Sequence, residues 1–316
     1  MVRCRQLSTV DATDAGIALW NTVHPTFAID RTAARFAAFA PPADVAVELW
    51  GVSSHDEFVG FAILKRAIRG EQGWISLLVI DPEVADFASV AIDLISRLEE
   101  SVATHAVRQL HVGQDVNHFI PGLPVVLADV YGPIYEQRGF ERGSRAFEVR
   151  RELNGDLPAP IHPESDVDAR PVEPEETDDL LAFLAEQFPG RWFNGAERAC
   201  QRPGGVQSYW GLWVDGVIVA FAGTSRVDAY PPPAYLSCLT DRTQRACGLG
   251  PLGVHEDERG KRYGLALIRA IMASFQREGY THMIIDWTTI VDYYAKLGFE
   301  ATAAYDSYTK TIEPQT

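Results

Sequence analysis

The stretch 153–167, LNGDLPAPIHPESDV, divides the chain into two parts that repeat one order of elements, and that repeat constrains the fold more than any other feature. Three prolines, a glycine and acidic residues without apolar periodicity are linker chemistry. Each flank is long enough to bury its own core. Both flanks open on a short strand, VRCRQL (2–7) and DARPV (168–172), followed by a helical pattern at 11–23 and 174–187. Two β-rich pairs come next, at 45–64 and 208–224. In the second pair Asp215-Gly216, set between alternating apolar residues, predicts a two-residue hairpin. A strand and a long helix follow in each flank: 74–80 with 85–100, and 249–254 with 261–278. After a further strand (109–115, 281–287), both flanks close on a short helix ending in Gly-Phe, at Gly139-Phe140 and Gly298-Phe299, and then a last strand. The repeat predicts an α/β fold built twice, with domains at 1–152 and 168–316 joined by the linker 153–167.

Charge narrows the function classes. Asp and Glu number 43 against 28 Lys and Arg, a net charge of −15. Phosphate recognition depends on Lys and Arg, so a general nucleic-acid binder is not expected, nor is a surface drawn to anionic lipid. The four cysteines, Cys4, Cys200, Cys238 and Cys247, form no CxxC pair, so neither a disulfide framework nor a metal site is expected. The first residues lack an apolar signal core, and no apolar run reaches the ~18 residues of a membrane span. A cytoplasmic protein with a small-molecule partner is the expectation; oligomeric state is left open.

One local segment reverses the acidic trend. From Val254 to Ala266 a strand ends, Arg259, Lys261 and Arg262 follow within four residues, and a helix begins at once. Backbone N–H groups at a helix N-terminus attract anions, and Gly260 and Gly264 allow close approach. The alternative is a strand-to-helix turn carrying a solvated charge cluster.

This segment resembles the acetyl-CoA pyrophosphate loop of the GNAT acyltransferases, Arg/Gln-x-x-Gly-x-Gly/Ala after a bulged strand. Arg259 matches the first position and Gly264 the last, while Arg262 stands where the pattern has its first glycine. The run Tyr294-Ala295-Lys296-Leu297-Gly298-Phe299 resembles the family's second signature, a helix ending in Tyr-x-x-x-Gly-Phe. The resemblance implies two domains, each a mixed, mostly antiparallel sheet flanked by helices. It implies acetyl-CoA as co-substrate, held by Leu252, Gly253, Val254, Arg259, Gly260, Lys261, Arg262, Tyr263 and Gly264, with Tyr294 serving the coenzyme sulfur. The general base has no fixed place in the family; Asp286, His255 and Glu256 are the candidates. For the acceptor, Arg191 and Trp192 in Phe188-Pro189-Gly190-Arg191-Trp192 are placed either to stack on a sugar or aromatic group or to pack as a turn. The stiff loop 228–235 is either part of the same mouth or a short polyproline ligand.

The first flank departs from the pattern. Its counterpart loop, 81–90, has no Arg, Lys or Gly and carries Asp81, Glu83 and Asp86, which disfavour a pyrophosphate. Tyr135 keeps the signature tyrosine. The stretch from Ile80 to Tyr135 is longer by about 15 residues than that from Val254 to Tyr294. The extra residues, around 117–124, are expected to pack against or reach toward the other half. The whole chain resembles tandem GNAT proteins with a degenerate first domain, among them bacterial glucosamine and glucosaminide N-acetyltransferases; mycothiol synthase shares the plan. The expected activity is N-acetylation of a small primary amine, with an amino sugar or an amino-sugar conjugate as the candidate acceptors. The competing classes are a sensor that binds acyl-CoA without turnover and an enzyme transferring a longer acyl group.

Overall fold

Residues 2–8, 10–39, 44–116, 119–161, 167–202, 204–229, 233–237 and 245–313 are described by a computed structural model. In chain order they form β1 (Val2–Leu7), α1 (Val10–Val23), α2 (Arg31–Phe39), β2 (Val45–Ser54), β3 (Glu57–Ala67), β4 (Gln72–Ile80), α3 (Phe87–Ala103), β5 (Gln109–Val112), β6 (Leu123–Pro124), α4 (Ala128–Gln137) and β7 (Glu141–Glu152). There follow β8 (Val167–Pro171), α5 (Thr177–Gln187), α6 (Arg191–Cys200), β9 (Tyr209–Val214), β10 (Val217–Arg226), α7 (Ala234–Ser237), β11 (Ala246–Val254), α8 (Tyr263–Arg277), β12 (His282–Thr288), α9 (Val291–Ala295) and β13 (Glu300–Thr311). Among the described residues no helix is long and apolar enough to cross a membrane.

The chain divides into two units, each an α/β fold with a mixed, mostly antiparallel sheet flanked by helices. Unit 1 comprises Met1–Phe147, Asp228–Asp241 and Ala303–Thr316; unit 2 comprises Glu148–Val227 and Arg242–Thr302.

In unit 1 the strands run β1-β2-β3-β4-β5-β13, antiparallel except for the parallel β4–β5 pair. Strand β3 is buried on both faces, and its side chains alternate between two cores as the pleat requires. Phe61 and Ile63 pack with Ile17, Trp20 and Ala34 of α1 and α2. Ala62 and Leu64 pack with Leu94, Leu98 and Tyr135 of α3 and α4. The extra segment after β5 packs against a strand from the second half of the sequence, as expected, and within unit 1: β6 pairs with β13 through Pro124↔Tyr305 and Leu123↔Asp306. Asn117 and His118 of that segment, Tyr230–Pro232 of the stiff loop and 162–166 of the linker lie outside the described residues.

Unit 1 also buries an ion pair. Lys65 Nζ lies 2.5 Å from Asp115 Oδ2, both side chains fully buried, and the Phe119 N–H donates to Asp115 Oδ1 at 3.1 Å. Removing one partner leaves the other charge dehydrated and uncompensated. Asp115→Asn is therefore expected to lower unfolding free energy by about 3–5 kcal/mol. Urea denaturation checks this; a change below about 1 kcal/mol would show that the pair contributes little.

Unit 2 orders its strands β8-β9-β10-β11-β12, and the end of β7 lies beside β12. Leu180, Phe183 and Leu184 of α5 and Ala196 of α6 cover one face with Trp213 and Phe221. The other helix of this sheet, α8, buries Leu267, Ile268, Ile271, Met272 and Phe275, an apolar stripe at helical spacing. The Asp215-Gly216 turn has positive φ at both residues, 50° and 78°, as the predicted hairpin requires. His55-Asp56 makes the same turn in unit 1 with φ of 50° and 69°, without a glycine to announce it.

Candidate active site

A cleft opens in unit 2 because two parallel strands part company. Pairing of β11 with β12 covers only Ala246–Gly248 against His282–Ile284. On its other edge β11 bulges: Leu249 faces Thr224 and Leu252 faces Ala222, so Gly250 and Pro251 both stand against Gly223. A bulge re-aims the strand. Beyond it the His255 N–H donates to the Val219 carbonyl at 2.8 Å. Alternation then turns the N–H groups of Val254 and Leu252 toward the opposite edge, from which β12 has diverged.

The parted edge feeds directly into α8. Gly260 (φ 86°) and Arg262 (φ 66°) take left-handed conformations, and the helix starts at Tyr263 rather than at Lys261 as the sequence pattern suggested. The left-handed residue before the first turn is the reason for the later start, and Asp86 does the same at the head of α3. No side chain caps α8, and its first intrahelical bond is from Ala266 N–H to the Arg262 carbonyl. The N–H groups of Gly264 and Leu265, in the first turn, thus have no intrahelical acceptor. Positive partial charge from the helix and the surrounding left-handed turns favours negative charge here. A Cβ at Gly264 would lie 2.3 Å from the Tyr293 hydroxyl, so a side chain there would displace that ring.

Strand edge, loop and helix N-terminus line one cavity of about 440 Å³. Of the residues singled out in the sequence, Leu252, Gly253, Val254, Arg259, Gly260, Arg262, Tyr263, Gly264, Tyr294 and Trp192 are on its wall. Lys261, Asp286, Arg191, His255 and Glu256 are not; the Lys261 ammonium is 2.8 Å from Glu258. Phe188, Glu258, Ile290, Tyr293 and Lys296 also line it. Phe188 and Trp192 pack on each other and on Phe221, with ring centroids 5.3–5.9 Å apart, so the apolar wall is continuous with the core.

Tyr294 is buried, shares a hydrogen bond with Thr288, and has its hydroxyl pushed up to about 12, by burial first and then by Tyr293. It stays protonated through the neutral range. Asp286 sits two residues past the last β11–β12 pair, within electrostatic reach of Tyr294. Burial and then the Glu148 carboxylate push its pKa up to about 7, against the opposing pull of Arg191. Arg191 is exposed and lies over the Trp287 ring at 4.8 Å, in the first turn of α6 rather than in a loop. Glu256 is exposed, and its N–H donates to Gln187 Oε1 at 3.4 Å. His255 Nδ1 accepts the Asp257 N–H at 3.2 Å.

The matching place in unit 1 is filled. Asp81 N–H donates to the Val59 carbonyl at 2.8 Å, as His255 does to Val219. The amide one residue earlier, Ile80 N–H, donates to the Tyr131 hydroxyl at 3.2 Å. Helix α4 begins a turn further ahead of its Gly-Phe end than α9 does, and that turn carries Tyr131. A void of about 20 Å³ remains there, between Trp20, Leu78, Tyr131 and Tyr135. The sequence reading missed Tyr131; its spacing one helical turn before Tyr135 was the available signal.

Residues 175–299 match the acetyltransferase (GNAT) family model. No curated protein matches the chain. Several solved structures share its fold. One is the GCN5-related glucosamine N-acetyltransferase region of a fungal multi-domain GH3 β-N-acetylglucosaminidase, at 17% identity and a TM-score of 0.83 over 98% of this chain. This chain spans only 38% of that longer one. A tandem GNAT protein from the clavulanic acid biosynthesis pathway aligns over 100% of both chains at 15% identity and a TM-score of 0.69. A GCN5-related N-acetyltransferase from Sphaerobacter thermophilus gives 16% and 0.70 over 100% of this chain and 97% of its own. Residues 175–299 are therefore a GNAT-type acetyltransferase domain.

Proposed function

We propose that residues 168–316 bind acetyl-CoA and pass its acetyl group directly to the primary amine of a small molecule, an amino sugar, while residues 1–152 do not bind the coenzyme. The observation that carries the reading is the single cavity joining the α8 N-terminus to Tyr294. Its chemistry fits the coenzyme. Uncapped N–H groups, Arg259 and Arg262 suit a pyrophosphate, and the parted edge at Leu252–Val254 suits an extended, amide-bearing arm.

The coenzyme supplies a thioester carbonyl and a thiolate leaving group. Asp286 takes a proton from the acceptor ammonium, freeing the nitrogen lone pair that attacks that carbonyl carbon. As the carbon–sulfur bond breaks, the electron pair goes to sulfur, where the Tyr294 hydroxyl donates a hydrogen bond and then its proton, and the second proton shed by the new amide nitrogen returns to the Tyr294 oxygen through solvent. A base with a pKa near neutrality and an acid that stays protonated are the complementary pair this transfer needs. The amino-sugar class is supported by Arg191 lying over the Trp287 ring, and by the glucosamine named for the fungal region that shares the fold.

Incubation with acetyl-CoA and glucosamine is expected to give N-acetylglucosamine by NMR, with kcat/KM above that for linear alkylamines. Equal or lower efficiency on the sugar would remove the amino-sugar assignment. Tyr294→Phe is expected to lower kcat about 100-fold, with acetyl-CoA affinity by calorimetry within about twofold of wild type. An unchanged kcat would show that sulfur leaves without this hydroxyl.

A further inference from the structure

The strand beside β12 sets up a second carboxylate. Leu153 N–H donates to the Thr281 carbonyl at 2.8 Å, and Glu152 faces His282 with Oε1 and Nε2 3.8 Å apart. Those two contacts fix an antiparallel register between the end of β7 and β12. Four residues further along, the same register sets Glu148 directly opposite Asp286. Directly opposed side chains on one face have Cβ atoms about 4.5–5.5 Å apart, and like charges there repel. Both side chains are half-buried, so water screens the repulsion poorly.

Glu148 is itself held in place. The Thr302 hydroxyl donates to its Oε1 at 2.8 Å and approaches its backbone carbonyl at 3.5 Å. Burial raises its pKa, opposed first by the Thr302 hydrogen bond and then by Arg150 on the same face of β7. Around Asp286 the remaining groups are Arg191 from α6 and the Tyr294 hydroxyl from α9. The thioester chemistry uses neither Glu148 nor Thr302.

We propose that Glu148 is a positioning residue for acetyl transfer: opposed to Asp286 across the strand pair, it makes that carboxylate a stronger base for the acceptor ammonium. This rests on Asp286 being the base of the proposed reaction. Two carboxylates this close ionise in sequence, not together. The Thr302 hydroxyl and Arg150 favour the ionised form of Glu148. Its negative charge then raises the proton affinity of Asp286, placing that group where it can accept a proton near neutral pH.

The test is the pH dependence of kcat/KM in the full chain, with one amine common to all proteins so that its own titration cancels. Glu148→Gln keeps the Thr302 hydrogen bond and removes the charge. It is expected to move the acidic limb to lower pH by about one unit, with activity at pH 8 lowered and activity near pH 6 relatively retained. A structural lesion would lower the rate at every pH without moving the limb. A limb at the wild-type position overturns the proposal. Asp286→Asn measured alongside separates the layers. If it is slow while the Glu148→Gln limb stays put, the Glu148 role alone falls; if it keeps the wild-type rate, the base assignment falls as well. Should Glu148→Gln fail to fold, carbon-13 NMR of carboxyl-labelled wild-type protein gives the same answer. The Glu148 signal is expected to show a second inflection at the pH where Asp286 titrates, and a Glu148 signal without one overturns the coupling.

Discussion

Asp286→Asn is expected to lower kcat/KM by about 10²–10⁴-fold while making the fold more resistant to urea above pH 7. The two effects have one cause. The folded chain holds the Asp286 carboxyl up at about 7, against 3.8 when unexposed to burial and Glu148. A raised carboxyl pKa means the folded state binds the proton more tightly than the unfolded state. Its cost is therefore absent below the unfolded pKa, grows as pH rises from about 4 to about 7, and is fully present at pH 8. Asparagine carries no charge, so it removes that cost, on the order of a few kcal/mol at most for a half-buried group. In the proposed reaction the rate falls because asparagine cannot take the ammonium proton. Steady-state kinetics and urea melts at pH 5 and pH 8 check both halves. Lost activity with lost stability at pH 8 would mark Asp286 as structural.

Replacing Arg259 and Arg262 together by Ala is expected to weaken acetyl-CoA binding by about 100-fold, with one coenzyme per chain in the wild type. Both side chains are exposed at the cavity wall. Charge-assisted hydrogen bonds contribute about 1.5–3 kcal/mol each, reduced here by solvent and salt. The uncapped N–H groups at the start of α8 survive the substitution, so binding is weakened and not abolished. Lys261, already paired with Glu258, contributes less: Lys261→Ala is expected to change affinity by less than about threefold. Isothermal titration at low and moderate salt checks these values. The salt dependence should shrink in the double variant, because fewer cations meet the pyrophosphate. Two coenzymes per chain would contradict the reading that the Tyr131 hydroxyl on Ile80 N–H closes the first unit.

Much of this was legible in sequence because its causes are local. Apolar alternation, the Asp215-Gly216 turn and the helical stripe of α8 are short-range signals, and the anion loop is one contiguous segment. Helices α2 and α6 were missed: α6 carries Asn194 and Gly195 in its middle, both poor helix formers. Boundaries at α3 and α8 slipped because Asp86 and Arg262 are left-handed without being glycine. What lay beyond reach was pairing at long range. Nothing in the sequence sets Glu148 against Asp286, lays Tyr131 on Ile80, or gathers Ala303–Thr316 into unit 1. Each depends on which strand or helix folds beside which.

Amine-dependent thiol release is the most direct measurement of the central claim. With the full chain, acetyl-CoA and a panel of small primary amines at pH 8, we expect free thiol to appear only when an amine is present, one per N-acetyl product. Coenzyme that binds in the cavity while thiol release is absent, or independent of every amine, would contradict it.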